Sequence, residues 1–78
     1  MNEVQKQFYK GLVEQAGAIF VGVQSGFGVH PDSILFQRVA RGNTIAIYAR
    51  AIRNVHDVEL ALKADAEKYA QQKFEVGV

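Results

Sequence analysis

The chain has no cysteine, no tryptophan, one proline and one methionine in its 78 residues. Without thiols it forms no disulfide, holds no thiolate-bound zinc and has no cysteine nucleophile. Its longest apolar run, Gly17 to Val23, falls far short of the roughly 20 residues that a membrane-spanning helix needs. No basic-then-apolar leader opens it, so the cytoplasm is the expected compartment and no membrane contact is expected. A charged fraction of 22% beside 49% hydrophobic residues excludes a disordered tail. At this length a single small domain over residues 1–78 is expected. Such a domain buries only about two-thirds of its unfolded surface, so its stability margin is thin.

Periodicity predicts five elements. From Asn2 to Gly17, Val4, Phe8, Leu12 and Ala16 recur at four-residue steps, with Tyr9 and Val13 beside them. This is an amphipathic helix. Asn2 is its expected cap and Gly17 its left-handed end. Ala18 to Gln24 is short and rich in β-branched and aromatic residues, which predicts a strand. Its near-continuous apolar run predicts burial on both faces. A loop dense in turn formers, Ser25 to Ser33, follows, and its glycines suit a bulge or a crossing. Ile34 to Arg41 and Thr44 to Ile52 flank Gly42-Asn43, a pair suited to the positive φ angles of a two-residue hairpin turn. That turn puts Ile34, Phe36, Ile45 and Ile47 on one face and Leu35, Val39, Tyr48 and Ile52 on the other. A three-residue loop with a bulge would reshuffle the cross-strand neighbours. Asn54 to about Phe74 is the second helix, capped by Asn54 and Asp57. Its buried stripe is Val55, Val58, Leu62, Ala66, Tyr69 and Ala70, with Leu60 off the stripe. Glu75 to Val78 either fray or add a short edge strand.

The expected fold is therefore α+β: helix, three-stranded antiparallel meander, helix (αβββα), with both helices packed on one face of the sheet. Two helices cover only one side, so the other face meets water or a partner.

The formal net charge of +1 hides a segregation. Residues 1–32 carry −1, residues 33–56 carry +4 and residues 57–78 carry −2. All four arginines, Arg38, Arg41, Arg50 and Arg53, lie in the middle block, which contains no acid, while every lysine lies on a helix segment. Arginine's planar fork suits phosphate, carboxylate and aromatic faces. Two readings follow: a hairpin that recognises an anionic partner, or arginines that guard a sheet edge and pair with acids of the second helix.

Tests for chemistry give little. His30, Asp32 and Ser33 hold the letters of a hydrolase triad, but neighbours in one loop cannot build a geometry that joins distant segments. Gly22, Gly26 and Gly28 lack the lysine and hydroxyl of a phosphate-binding loop. His56 beside Asp57 lacks a third metal ligand at a recognised spacing. No enzyme activity, no cofactor and no metal site are expected.

The order helix–three strands–helix resembles the topology of double-stranded-RNA-binding domains, over most of the chain and as topology alone. The resemblance implies phosphate contacts from a lysine-rich start to the second helix. Here that stretch reads Asn54-Val55-His56-Asp57-Val58-Glu59, and the segment before the second strand reads Gly28-Val29-His30-Pro31.

The expected function is a non-catalytic protein–protein interaction module, homodimeric, acting through the open sheet face and the arginine-bearing hairpin. Leu35, Gln37, Val39, Arg41, Tyr48, Arg50, Ile52 and Arg53 are the expected contact residues, with Phe27 and His30 adding loop contacts. Short chains without a cofactor are common among accessory and inhibitor proteins of phages and mobile elements, which act by occluding a larger target. An acidic partner is expected over a basic one. The alternative is a nucleic-acid-binding domain that uses the arginine hairpin.

Overall fold

The computed structural model describes residues 1–40 and 43–76, with side chains through residue 70. Helix α1 (Glu3–Gln15) leads into a three-stranded sheet of β1 (Ile19–Gln24), β2 (Ser33–Gln37) and β3 (Ile45–Tyr48). A 3₁₀ turn over Ala49–Ala51 then connects to helix α2 (Val55–Val76). The strands are antiparallel neighbours in the order β1-β2-β3. This is the predicted αβββα arrangement.

Local chemistry sets the ends of α1. The Asn2 side chain accepts from the Gln5 backbone N–H at 2.8 Å, and the Gln5 side chain accepts from the Asn2 N–H at 3.2 Å. This reciprocal box satisfies two otherwise orphaned donors. At the far end Gly17 has φ +81°. Its N–H donates to the Glu14 carbonyl at 3.0 Å and that of Ala18 to the Val13 carbonyl at 3.1 Å, a Schellman closure. Helix α2 starts with the Asp57 N–H donating to the Asn54 side chain at 3.2 Å, while the Asp57 carboxylate accepts from the Arg53 N–H at 2.8 Å.

The core lies between one sheet face and the helices. Phe36, Ile34, Val13 and Val58 are fully buried, each contributing about 1.5–3 kcal/mol of transfer free energy. Tyr9, Leu12 and Ala16 of α1, Ala61 and Leu62 of α2, and the sheet residues Phe20, Val23, Ile45 and Ile47 pack around them. The periodic reading of α1 shifts here, because Val4 and Phe8 are exposed. At about 100° per residue, the nine steps from Val4 to Val13 bring it half a turn round the helix from the buried face. In α2, Leu60 is exposed as predicted, whereas Tyr69 and Ala70, expected on the buried stripe, are exposed as well.

The hairpin departs from its predicted form. Ile34 pairs with Ile47 and Phe36 with Ile45, where a turn on Gly42-Asn43 would set these residues against Ala51 and Ala49. The observed register opposes large apolar side chains instead of alanines. It differs from the predicted one by an even number of residues, so the inward and outward sets keep their faces. The ladder ends at Tyr48, and the 3₁₀ turn carries Ile52 into the core at 4% exposure. Ile52 is thus a core residue and not part of the open face. Arg41 and Gly42 lie outside the described residues, as do the last two residues of the predicted C-terminal fray.

Candidate interaction surface

The sheet face turned away from the core carries Ile19, Val21, Leu35, Ala46 and Tyr48, fringed by Gln24, Ser33 and Gln37. The pairings fix this set: Leu35 sits between Gly22 and Ala46, Ser33 between Gln24 and Tyr48, and Gln37 opposite Ile19. The register slips between Phe20 and Gly22, so Val21 is the extra residue of a β-bulge, which a neighbouring glycine accommodates. Ile19, Val21 and Tyr48 remain 43%, 48% and 44% exposed. The prediction that β1 is buried on both faces is overturned: both helices contribute to the core on the Ile34–Phe36 side, and nothing among the described residues covers the other.

The arginines divide. Arg38 leaves the sheet at the end of β2 and its Nε donates to Asp65 Oδ2 at 2.7 Å, with its guanidinium 5.3 Å from the Tyr69 ring centroid. It is the internal pairing with an acid of the second helix that the charge segregation allowed. Arg50 is exposed, with its guanidinium 5.6 Å from the Tyr48 ring centroid at the rim of the open face. Arg53 is exposed at the start of α2. Leu35 and Gln37 are half-buried, and Val39 is exposed in the loop after β2.

The β1–β2 loop borders the same face. Phe27 projects at 87% exposure, and the His30 N–H closes a turn onto the Phe27 carbonyl at 2.9 Å. Gln24, Phe27, His30, Ser33 and Tyr48 line a shallow depression of about 290 Å³. Two anchors hold the loop. A side chain at Gly26 would overlap the backbone of His30 and Pro31, so the chain crosses itself there only with glycine. Asp32 accepts from the Gly26 N–H at 2.9 Å, and its other oxygen stands 3.2 Å from the N-terminal ammonium. The Gly26 hydrogen bond first, then the ammonium, hold the Asp32 carboxyl below its ordinary range. A carboxyl depressed on folding stabilises the native state above its unfolded pKa, near 4, and loses that contribution as pH falls through the folded value. Asp32→Asn is therefore expected to lower stability at neutral pH and to flatten the decline in stability below about pH 4, read by denaturant titrations across pH. An unchanged acid limb contradicts this role.

The sequence reading missed two features. Ile19 and Val21 belong to the open face, and the signal available was the helix count, since two helices leave one side of any strand bare. The other is a groove of about 440 Å³ between β3 and α2, lined by Ile45, Ile47, Ala61, Ala64, Lys68 and Tyr69. Among the described residues no helix is long and apolar enough to cross a membrane. Compared with known proteins, the chain matches no family model, no curated protein and no solved structure.

Proposed function

We propose that this chain is a non-catalytic protein-interaction module that works as a homodimer and offers its uncovered sheet face to a protein partner. The observation that carries the reading is the apolar character of that face, where Ile19, Val21 and Tyr48 stand more than two-fifths exposed beside Leu35. Contiguous exposed apolar surface ringed by polar groups marks interaction sites on small domains.

Arg50 at the rim favours an acidic partner, and Tyr48 with Arg50 is the aromatic–arginine combination that recurs at binding hot spots. A protein partner is favoured over nucleic acid by one observation. Arg38 is committed to Asp65, which removes a cation from a footprint that was already small for phosphate-driven binding. The experiment is capture of a partner from the source cell by the tagged chain, run beside a Leu35→Asp, Tyr48→Ala variant of unchanged circular dichroism. The expected result is a partner retained by the wild type and lost by the variant. Equal retention by both contradicts the reading.

A further inference from the structure

We propose that two copies of this chain pair along β3, edge to edge about a two-fold axis, to make one continuous six-stranded antiparallel sheet. This rests on the homodimeric part of the reading above and assigns where the two copies meet.

The sheet has two edges, and they differ. The β1 edge is interrupted by the bulge at Val21, a device that blunts an edge against further pairing. The β3 edge, Ile45-Ala46-Ile47-Tyr48, contains no charge, no proline and no bulge. Such an edge is a template for another strand.

The backbone pairing shows which groups point away from β2 and are unpaired among the described residues. The Ala49 N–H donates to the Asp32 carbonyl at 2.9 Å, one step beyond the Ser33–Tyr48 pair. Antiparallel pairs alternate between bonded and non-bonded. Ile47–Ile34 and Ile45–Phe36 are therefore the bonded pairs, and the N–H and C=O groups of Ala46 and Tyr48 point outward from the edge. Two outward residues around one inward residue are what a two-fold axis completes. Ala46 lies opposite Tyr48 of the second copy and the reverse, with four N–H···O bonds and Ile47 on the axis.

The side chains agree with this register. Ile45 and Ile47 are half-buried on the core face and line the 440 Å³ groove beside α2. With Ile47 on the axis, Ile47 of the second copy projects to the same side beside Ile47 and enters that groove, while Ala49 of the second copy comes to lie opposite Ile45. The groove's helical wall presents Ala61 and Ala64, small enough to admit it, and Asp65 there is already neutralised by Arg38. On the opposite side, Tyr48 comes to lie across from Ala46 of the second copy. The two open faces then merge into one surface bearing two copies of the Tyr48–Arg50 rim.

The test uses the absence of native cysteine. Ile47→Cys places two thiols at a non-bonded antiparallel pair, where Cα atoms stand about 4.5 Å apart, within disulfide reach. Leu35→Cys, at the centre of the open face, reports a face-to-face dimer instead. Ala46→Pro removes an outward N–H that β2 does not use, taking two of the four bonds from the dimer. Each lost bond is worth up to about tenfold, so its dissociation constant is expected to rise about a hundredfold.

The expected result is rapid covalent dimerisation of Ile47→Cys on mild oxidation, none of Leu35→Cys, and an Ala46→Pro whose dissociation constant is about a hundredfold higher. A dimer with cross-linking at Leu35→Cys and none at Ile47→Cys overturns the β3 contact while leaving the homodimer. A wild type that stays monomeric at hundreds of micromolar overturns both. Should Ala46→Pro fail to fold, the two cysteine variants decide alone.

Discussion

Replacing Phe36 by alanine is expected to lower the melting temperature by about 20–30 °C, or to abolish a cooperative transition altogether. Phe36 is fully buried in the middle strand, with Phe20 and Ile45 on either side of it. Truncating a buried phenylalanine costs about 3–5 kcal/mol, as lost transfer energy and as a cavity that close-packed neighbours cannot fill. A domain of this size has a total stability of about 4–12 kcal/mol, so the loss is a large share of it. Phe27→Ala is the matched control. The same atoms are removed from a site 87% exposed, and the expected change is within about 0.5 kcal/mol. Thermal denaturation followed by circular dichroism separates the two, and equal shifts would mean that the core is misplaced.

The Arg38–Asp65 pair is the second place where a single change has a large effect. Both side chains are less than one-fifth exposed, so solvent screens the pair weakly. Arg38 also keeps one buried nitrogen, Nη2, without a hydrogen-bond partner among the described residues. Asp65→Ala leaves a mostly buried guanidinium stacked on the Tyr69 ring without its acid, and the expected loss is about 2–3 kcal/mol. The cost arises from stranding a charge, because the desolvation of an ion pair offsets much of its attraction. Replacing both partners by apolar residues, Arg38→Met with Asp65→Leu, is accordingly expected to recover most of that loss. A double-mutant cycle in urea measures the coupling directly. Additive single-mutant effects would show that the pair contributes nothing as a pair.

Much of the architecture is legible in the residues because it follows from local chemistry. Asn2 and Gly17 mark the ends of α1 through their own side-chain and backbone preferences, and Asn54 does the same for α2. The division of the hairpin into Ile34, Phe36, Ile45 and Ile47 against Leu35, Ala46 and Tyr48 depends only on a period of two. It survives a register change of four residues for that reason. What depends on tertiary placement is not legible in this way. Gly42-Asn43 carries a turn signal, yet the register is set by opposing Ile34 to Ile47 across the sheet. Ile52 alternates correctly for an outward strand residue, but the chain has already left the ladder in a 3₁₀ turn.

The interaction surface is legible to a similar extent. Tyr48, Leu35 and Arg50 follow from alternation and charge segregation, since both are properties of the chain itself. Ile19 and Val21 do not, because a continuous apolar run reads as doubly buried until the helices are known to lie on one side. Arg38 is the reverse case. Its charge alone fits either a partner contact or a pairing with an acid of the second helix, and its position at the end of β2 turns it inward to Asp65. The groove beside β3 has no sequence signature, since it is the space left between two elements that are each well formed.

Molar mass by light scattering, measured from low to hundreds of micromolar concentration, decides whether two copies of the chain associate. A homodimeric module predicts a rise towards twice the 8.6 kDa of the single chain, with the midpoint displaced upward in Ala46→Pro. A mass that stays at one chain across the whole range contradicts it.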